Sequence, residues 1–230
     1  MNNDMNSPLG LIFDIDGVLV DSNPAHFESW VVAAQEDGFE FTPELFQQTF
    51  GQTSRAIIKN HWPRDVSPEE IARIDKRKED LYREYVPTKV KLIPGAKELL
   101  LQLESYGFAV AVGSSGPGIN VNFIVDFFEL RSHLKSIVSG TDVVNGKPWP
   151  DIFLKAAQEM NVRPSRCAII DDSESGILSG VAAGMKTIGF FSEGHLPYEY
   201  AKADMLVHSF AELSPELIAR FIAESCNYKK

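Results

Sequence analysis

Two textures alternate along this chain. Apolar runs of four to six residues end in, or run into, Gly, Ser or Asp: LGLIFD (9–14), FAVAVG (108–113), SIVSG (136–140), CAIIDD (167–172) and KTIGFF (186–191). Short runs bounded by turn residues read as buried strands. Between the later runs lie helical patterns. Pro94 to Tyr106 reads PGAKELLLQLESY, with Pro at the start and Gly107 past the end, the placement that opens and closes a helix. Pro150 to Met160 and Ser175 to Ala183 follow the same plan. Strand, helix, strand in this rhythm predicts βαβ units and a parallel sheet covered on both faces. The fold class is therefore α/β, with a Rossmann-like, doubly wound core.

Residues 24–93 break the rhythm, because only helical signals occur there. Asn23-Pro24 opens HFESWVVAAQEDG, closed by Gly38. Thr42-Pro43-Glu44 opens a short second helix, and Ser67-Pro68-Glu69-Glu70 a long charged third that runs to about Tyr85. The expected organisation is a core from residues 1–23 and 94–230, with a small all-helical cap, 24–93, inserted after the first strand. Proline-containing crossings near Asp21–Pro24 and Lys91–Pro94 read as the hinges of a lid.

The strand ends carry the chemistry. In LIFDIDGVLV (11–20), Asp14 and Asp16 stand two apart where an apolar run gives out. Alternate residues of an extended chain share a face, so both carboxylates can aim the same way. Two anions at the end of a buried strand are costly unless a cation or bound group neutralises them. The second strand ends in Ser114-Ser115-Gly116, Lys147 follows the third, and the fourth ends in Asp171-Asp172-Ser173. In doubly wound sheets the ligand sits at the carboxyl ends. Paired carboxylates suit a hard divalent cation, while the hydroxyls and the ammonium suit an anion. Together they are equipment for phosphoryl transfer.

Bulk composition narrows the partners. A formal net charge of -10 on 230 residues argues against general nucleic-acid binding. No apolar run approaches a membrane span. MNNDMNSPLG lacks the basic and apolar regions of a secretion signal. Cys167 and Cys226 then read as free thiols in a reducing cytoplasm, which is the expected location. Oligomeric state is not encoded in any visible pattern.

DIDGVLVDS (14–22), GSS (113–115), GKPWPDIFL (146–154) and IIDDSESGI (169–177) resemble, in order and spacing, the four motifs of the haloacid dehalogenase superfamily. The resemblance is to its branch with a helical cap between motifs one and two, home to phosphatases and β-phosphoglucomutase-like enzymes. It implies that Asp14 is the nucleophile that takes the phosphoryl group and that Asp16 is the general acid and base. Ser114, with Ser115 beside it, would bind phosphoryl oxygens, and Lys147 would pair with both Asp14 and the phosphate. Mg²⁺ would be held by Asp14, the backbone carbonyl of Asp16, and Asp172. Asp171 belongs to the same metal set; relatives often carry Glu-Asp in the fourth motif, and the shorter Asp171 here would reach either the metal or metal-bound water. An acid at Asp16 points to phosphate esters.

In the cap, His26 would face the site when the lid closes, and Trp30, four residues on, packs the cap. Arg55 in FGQTSR is placed to send a basic side chain to a second phosphate. Lys78 in KRKEDLY would do likewise as a substrate-binding residue, against the reading of an ordinary solvated helix lysine. The resemblance thus implies a Mg²⁺-dependent phosphatase acting on a small phosphorylated metabolite through an aspartyl-phosphate. The alternative is a phosphomutase of the β-phosphoglucomutase type. That enzyme's loop after the second strand carries Ser, Lys and Asn for the distal phosphate, whereas this chain has Gly116-Pro117-Gly118 and only backbone to offer. Arg55 is also one place off the mutase spacing. A non-catalytic binding protein on the same fold is the remaining alternative, against which every catalytic position is filled.

Overall fold

The computed structural model describes residues 8–49, 52–191 and 197–225. Strand β1 (Gly10–Phe13) runs through the middle of a six-stranded sheet. Beyond a tight turn the chain enters a two-stranded ribbon of β2 (Val20–Asp21) and β3 (Lys91–Leu92). Between those strands it builds α1 (Asn23–Glu36), α2 (Pro43–Gln48), α3 (Ser54–His61) and α4 (Pro68–Lys89). After β3 the alternation resumes with α5 (Ala96–Tyr106), β4 (Ala109–Gly113), α6 (Gly118–Phe127), β5 (Ser136–Val138) and α7 (Asp151–Glu159). It ends with β6 (Cys167–Asp171), α8 (Glu174–Ala182), β7 (Lys186–Phe190), β8 (Met205–Val207) and α9 (Pro215–Ser225).

The sheet order is β5-β4-β1-β6-β7-β8, and every neighbouring pair is parallel. The chain works outward from β1 on one side, then crosses to the other side at β6. Such a switch point opens a crevice at the carboxyl ends of the strands. The central strands are apolar throughout because both faces are covered: Leu11, Ile12 and Phe13 on β1 and Ala168, Ile169 and Ile170 on β6 are all fully buried. Ile152, Phe153, Ala156 and Ala157 of α7 and Ile177 of α8 close over Ile12 and Ile169. Cys167 is a free, buried thiol in this layer, and burial pushes its pKa up to about 12. Cys226 lies outside the described residues.

The chain divides into two compact units, one of Asp21–Lys91 and the other of the segments before and after it. Inside Asp21–Lys91, α4 starts at a full capping box. Ser67 Oγ accepts from the Glu70 amide and the Glu70 carboxylate accepts from the Ser67 amide, with Pro68 in the first turn. Trp30, Ala34, Phe41, Ile57, Ile58, Trp62 and Ile74 form this unit's own core. The Trp30 ring stacks on Phe41 at 5.2 Å between centroids, which makes Trp30 a packing residue. Asp37, just past α1, accepts from Trp62 Nε1 (2.7 Å), Arg64 (2.9 Å) and Arg73 (2.8 Å).

Several elements differ from the sequence reading, among them the β2–β3 ribbon, whose second strand lies inside 24–93, and helix α9. Helix α3 stands where only a loop or helix start was expected, and α4 runs past Tyr85 to Lys89. Strand β8 adds a sixth member to the sheet. Among the described residues no helix is long and apolar enough to cross a membrane.

Candidate active site

The residues that meet at the switch point come from four strand ends of one unit. The Asp14 amide donates to the Ile170 carbonyl at 2.9 Å, which ties the end of β1 to β6, and the residue is only 8% exposed. Asp16 is half-buried two residues on. The backbone then turns at Gly17, whose φ of 74° belongs to the left-handed region that glycine adopts most readily. Gly17 also makes room: a Cβ there would lie 1.8 Å from Asp172 Oδ2.

Strand β6 delivers Asp171, fully buried, and Asp172, 8% exposed. One carboxylate oxygen from each of Asp14, Asp171 and Asp172 can lie within 4.8 Å of the others. Lys147 arrives from the loop before α7. Its Nζ sits 2.8 Å from Asp14 Oδ1 and 2.7 Å from Asp171 Oδ2, and 4.9 Å over the Phe153 ring.

Asp171 is engaged at both oxygens. Oδ2 takes Lys147, while Oδ1 accepts from the Ser173 amide (2.9 Å) and the Ser173 hydroxyl (2.7 Å). The same hydroxyl accepts from the Gly176 amide at 3.1 Å and so caps α8. A Cβ at Gly176 would fall 1.9 Å from the Asp171 carboxylate. Ser173 and Gly176 were not singled out as site residues in the sequence; the only available signal was a helix-capping Ser two places after a strand-end Asp.

Ser114, 2% exposed, follows β4, and its amide donates to the Val138 carbonyl. Its hydroxyl accepts from the Gly116 amide at 3.0 Å, which leaves the hydroxyl proton to donate elsewhere. Ser115 is exposed.

The electrostatics are lopsided. Asp14, Asp171 and Asp172 are three carboxylates against one ammonium. Burial is the main force pushing the Asp14 pKa well above the carboxylate range; Lys147 opposes it, and Asp171, Asp172 and Asp16 add to it. Burial also works against the Lys147 charge, but Asp14 and Asp171 outweigh it and hold its pKa above the ordinary lysine value. A site of buried oxygen donors that is short of positive charge fits a hard divalent cation.

The remaining predicted residues belong to Asp21–Lys91. Lys78 is not a solvated helix lysine. Its side chain is 3% exposed, with Nζ 2.9 Å from Glu79 Oε1 and 3.0 Å from His26 Nδ1. His26 stacks on Tyr82 at 4.1 Å. Burial disfavours the Glu79 charge, yet Lys78, His26 and a hydrogen bond from Ser54 outweigh it and hold its pKa below the usual range. Arg55 is 71% exposed and paired with Asp75 at 3.0 Å.

Residues 11–190 match the family described as haloacid dehalogenase-like hydrolase. The chain belongs to that family. Among its relatives is the "Phosphorylated carbohydrates phosphatase" of Thermotoga maritima, 28% identical over 77% of this chain and 82% of that protein. Another is the "Beta-phosphoglucomutase" of Bacillus subtilis, 29% identical over 90% and 92%. The fold is also that of CbbY from Rhodobacter sphaeroides, solved with phosphate and, as a mutant, with xylulose 1,5-bisphosphate. That match has a TM-score of 0.82 and 26% identity, and covers 90% of this chain and 96% of that one. The Asp14, Ser114, Lys147 and Asp171-Asp172 segments of this haloacid dehalogenase-like chain all fall inside the matched span.

Proposed function

We propose that this chain is a Mg²⁺-dependent phosphatase that hydrolyses small phosphorylated metabolites, sugar phosphates among them, through an aspartyl-phosphate on Asp14. The observation that carries the reading is the state of Asp14: a buried carboxylate held at one oxygen by Lys147 and crowded by three other carboxylates. Such a group is oriented for attack and short of a cation. Asp14, Asp172 and the Asp16 carbonyl would hold Mg²⁺, which when bound supplies positive charge to the phosphoryl oxygens. Asp171 would serve instead to aim Lys147, since both of its oxygens are taken.

In this scheme the Asp14 carboxylate attacks phosphorus, the ester P–O bond breaks, and Asp16 gives its proton to the leaving oxygen. Asp16 then takes a proton from water, whose oxygen displaces Asp14 and frees phosphate. Lys147 and the Ser114 hydroxyl bind the phosphoryl oxygens throughout. The helical unit acts as a lid that limits water while the intermediate exists. The named activity of the Thermotoga relative agrees with this scheme.

A phosphomutase is the second reading, favoured by the likeness to the Bacillus β-phosphoglucomutase and by the buried Lys78–His26 pair. The test is a panel of phosphate monoesters with Mg²⁺, scored for both phosphate release and isomerisation. The panel includes β-glucose 1-phosphate with and without its bisphosphate. Release from several monoesters, abolished in Asp14→Asn, is the expected result. Fast bisphosphate-stimulated isomerisation with negligible release would replace the phosphatase reading with the mutase.

A further inference from the structure

Ser179 lies on α8, is fully buried, and takes no part in the chemistry proposed above. Its hydroxyl donates to the Trp149 carbonyl at 2.7 Å. That carbonyl belongs to the turn that delivers Lys147. Side-chain packing does little to hold this turn: Val144 is 95% and Trp149 61% exposed, and a Cβ at Gly146 would meet nothing within 4 Å. Hydrogen bonds hold it instead. The Trp149 amide donates to the Gly146 carbonyl at 3.0 Å and closes the turn around Lys147. The Trp149 carbonyl, through Ser179, ties the closed turn to α8.

Helix α8 is a firm reference for that tie. Gly180 lets it approach the sheet so closely that a Cβ there would lie 2.6 Å from the Ile169 side chain and 2.8 Å from that of Thr187. The same helix is capped by Ser173, whose hydroxyl holds Asp171 Oδ1. Lys147 and Asp171, 2.7 Å apart, are therefore both registered on one helix. We infer that Ser179 is a positioning residue: through the Trp149 carbonyl it fixes the turn that aims the Lys147 ammonium at Asp14 and Asp171. Nζ must meet two carboxylates and a phosphoryl group together, so a displacement of about 1 Å is enough to cost activity. The catalytic consequence rests on the phosphatase reading; the positioning does not.

The experiment uses the full chain with Mg²⁺. Ser179→Ala leaves the Trp149 carbonyl without its donor. Ser179→Thr keeps a hydroxyl, and Ser179→Cys, a weak donor of nearly serine size, replaces it if the extra methyl prevents folding. Ser136→Ala is the control, since it removes another buried hydroxyl, bonded to Glu159 at 2.6 Å, at the start of β5 and away from the carboxyl ends of the strands. The readouts are kcat/KM for the best-hydrolysed monoester of the panel, inhibition by orthovanadate, half-saturating Mg²⁺, and the rate of reductive methylation of Lys147 followed by mass spectrometry. In Ser179→Ala, kcat/KM should fall and vanadate inhibition weaken about three- to tenfold, and Lys147 should be methylated about three- to tenfold faster. Half-saturating Mg²⁺ should move by less than about twofold, because the carboxylates keep their places. Ser179→Thr should restore both activity and protection, and Ser136→Ala should change neither. A Ser179→Ala variant that matches Ser136→Ala in activity and in methylation overturns the inference while the phosphatase reading stands, and so does a change in one of these without the other. If wild type releases phosphate from no ester, the phosphatase reading falls, and methylation alone decides whether Ser179 holds Lys147.

Discussion

Replacing Ser173 by Ala removes three contacts with one atom, the longest of them to Ser175 Oγ at 3.2 Å. The hydroxyl donates to Asp171 Oδ1 at 2.7 Å and accepts from the Gly176 amide at 3.1 Å. The first bond serves a fully buried carboxylate and is charge-assisted, worth about 1.5–3 kcal/mol. The second is the N-cap of α8, worth about 1 kcal/mol. Asp171 keeps the Ser173 amide and Lys147, so the combined loss should be about 2.5–4 kcal/mol, a large share of a domain's ~5–15 kcal/mol. Urea unfolding of wild type, Ser173→Ala and Ser173→Thr measures it. Amide exchange on β6 and α8 assigns the loss to this corner of the molecule. The Ala variant should unfold at lower urea with an unchanged slope, and the Thr variant should recover most of the difference. Because Asp171 aims Lys147, kcat should also fall in Ser173→Ala and return in Ser173→Thr. An Ala variant within about 0.5 kcal/mol of wild type, with intact kcat, would refute the claim that Ser173 holds Asp171 in place.

Three further expectations are independent of that one. Gly176→Ala drives a methyl into the Asp171 carboxylate and should abolish turnover and destabilise the core; Gly146→Ala meets nothing within 4 Å and should be neutral in a melting curve, and equal effects at the two sites would count against the steric argument. Partial burial acts against the Asp37 charge, but Trp62, Arg73 and Arg64 outweigh it and hold its carboxyl below the ordinary value. A folded-state pKa below the unfolded one gives stability that is present above the unfolded value and lost as pH falls through the folded one. Asp37→Asn should therefore flatten the acid limb of the unfolding curve and cost about 1.5–3 kcal/mol near neutrality, whereas an unchanged acid limb would show that Asp37 is not its source. Mg²⁺ should raise the melting temperature of wild type but not of Asp172→Ala, and an equal rise in both would remove Asp172 from the metal set.

The strands and the carboxylate pairs are legible in the sequence because a strand buried on both faces is apolar throughout, and an Asp at its end stands out. Helix α3 is not legible, since only Ile57 and Ile58 of SRAIIKNH are buried and the remaining residues read as loop. Three-residue β8 is below the length at which a run is distinguishable from chance. Lys78 misleads for a different reason. KRKEDLY has the texture of a solvated face, and what buries its lysine is Trp30, His26 and Tyr82 closing around it. Ser173 carries no signature of its own, because a hydroxyl's role depends on which partners the fold brings to it.

The ribbon of β2 and β3 has a consequence for how this molecule can change over time. Leu19 O accepts from the Ile93 amide at 3.0 Å, so the chain departs for Asp21–Lys91 and comes home at adjacent points. A detour whose ends are already neighbours adds only the slowly growing closure entropy of its own length to the core. The parallel register of β1 with β4 and β6 is indifferent to what is threaded between residues 20 and 92. Lengthening, trimming or exchanging the helices of that excursion therefore leaves the carboxylates at the strand ends where they are. The helical stretch can be rewritten without touching the strands that carry the reaction chemistry.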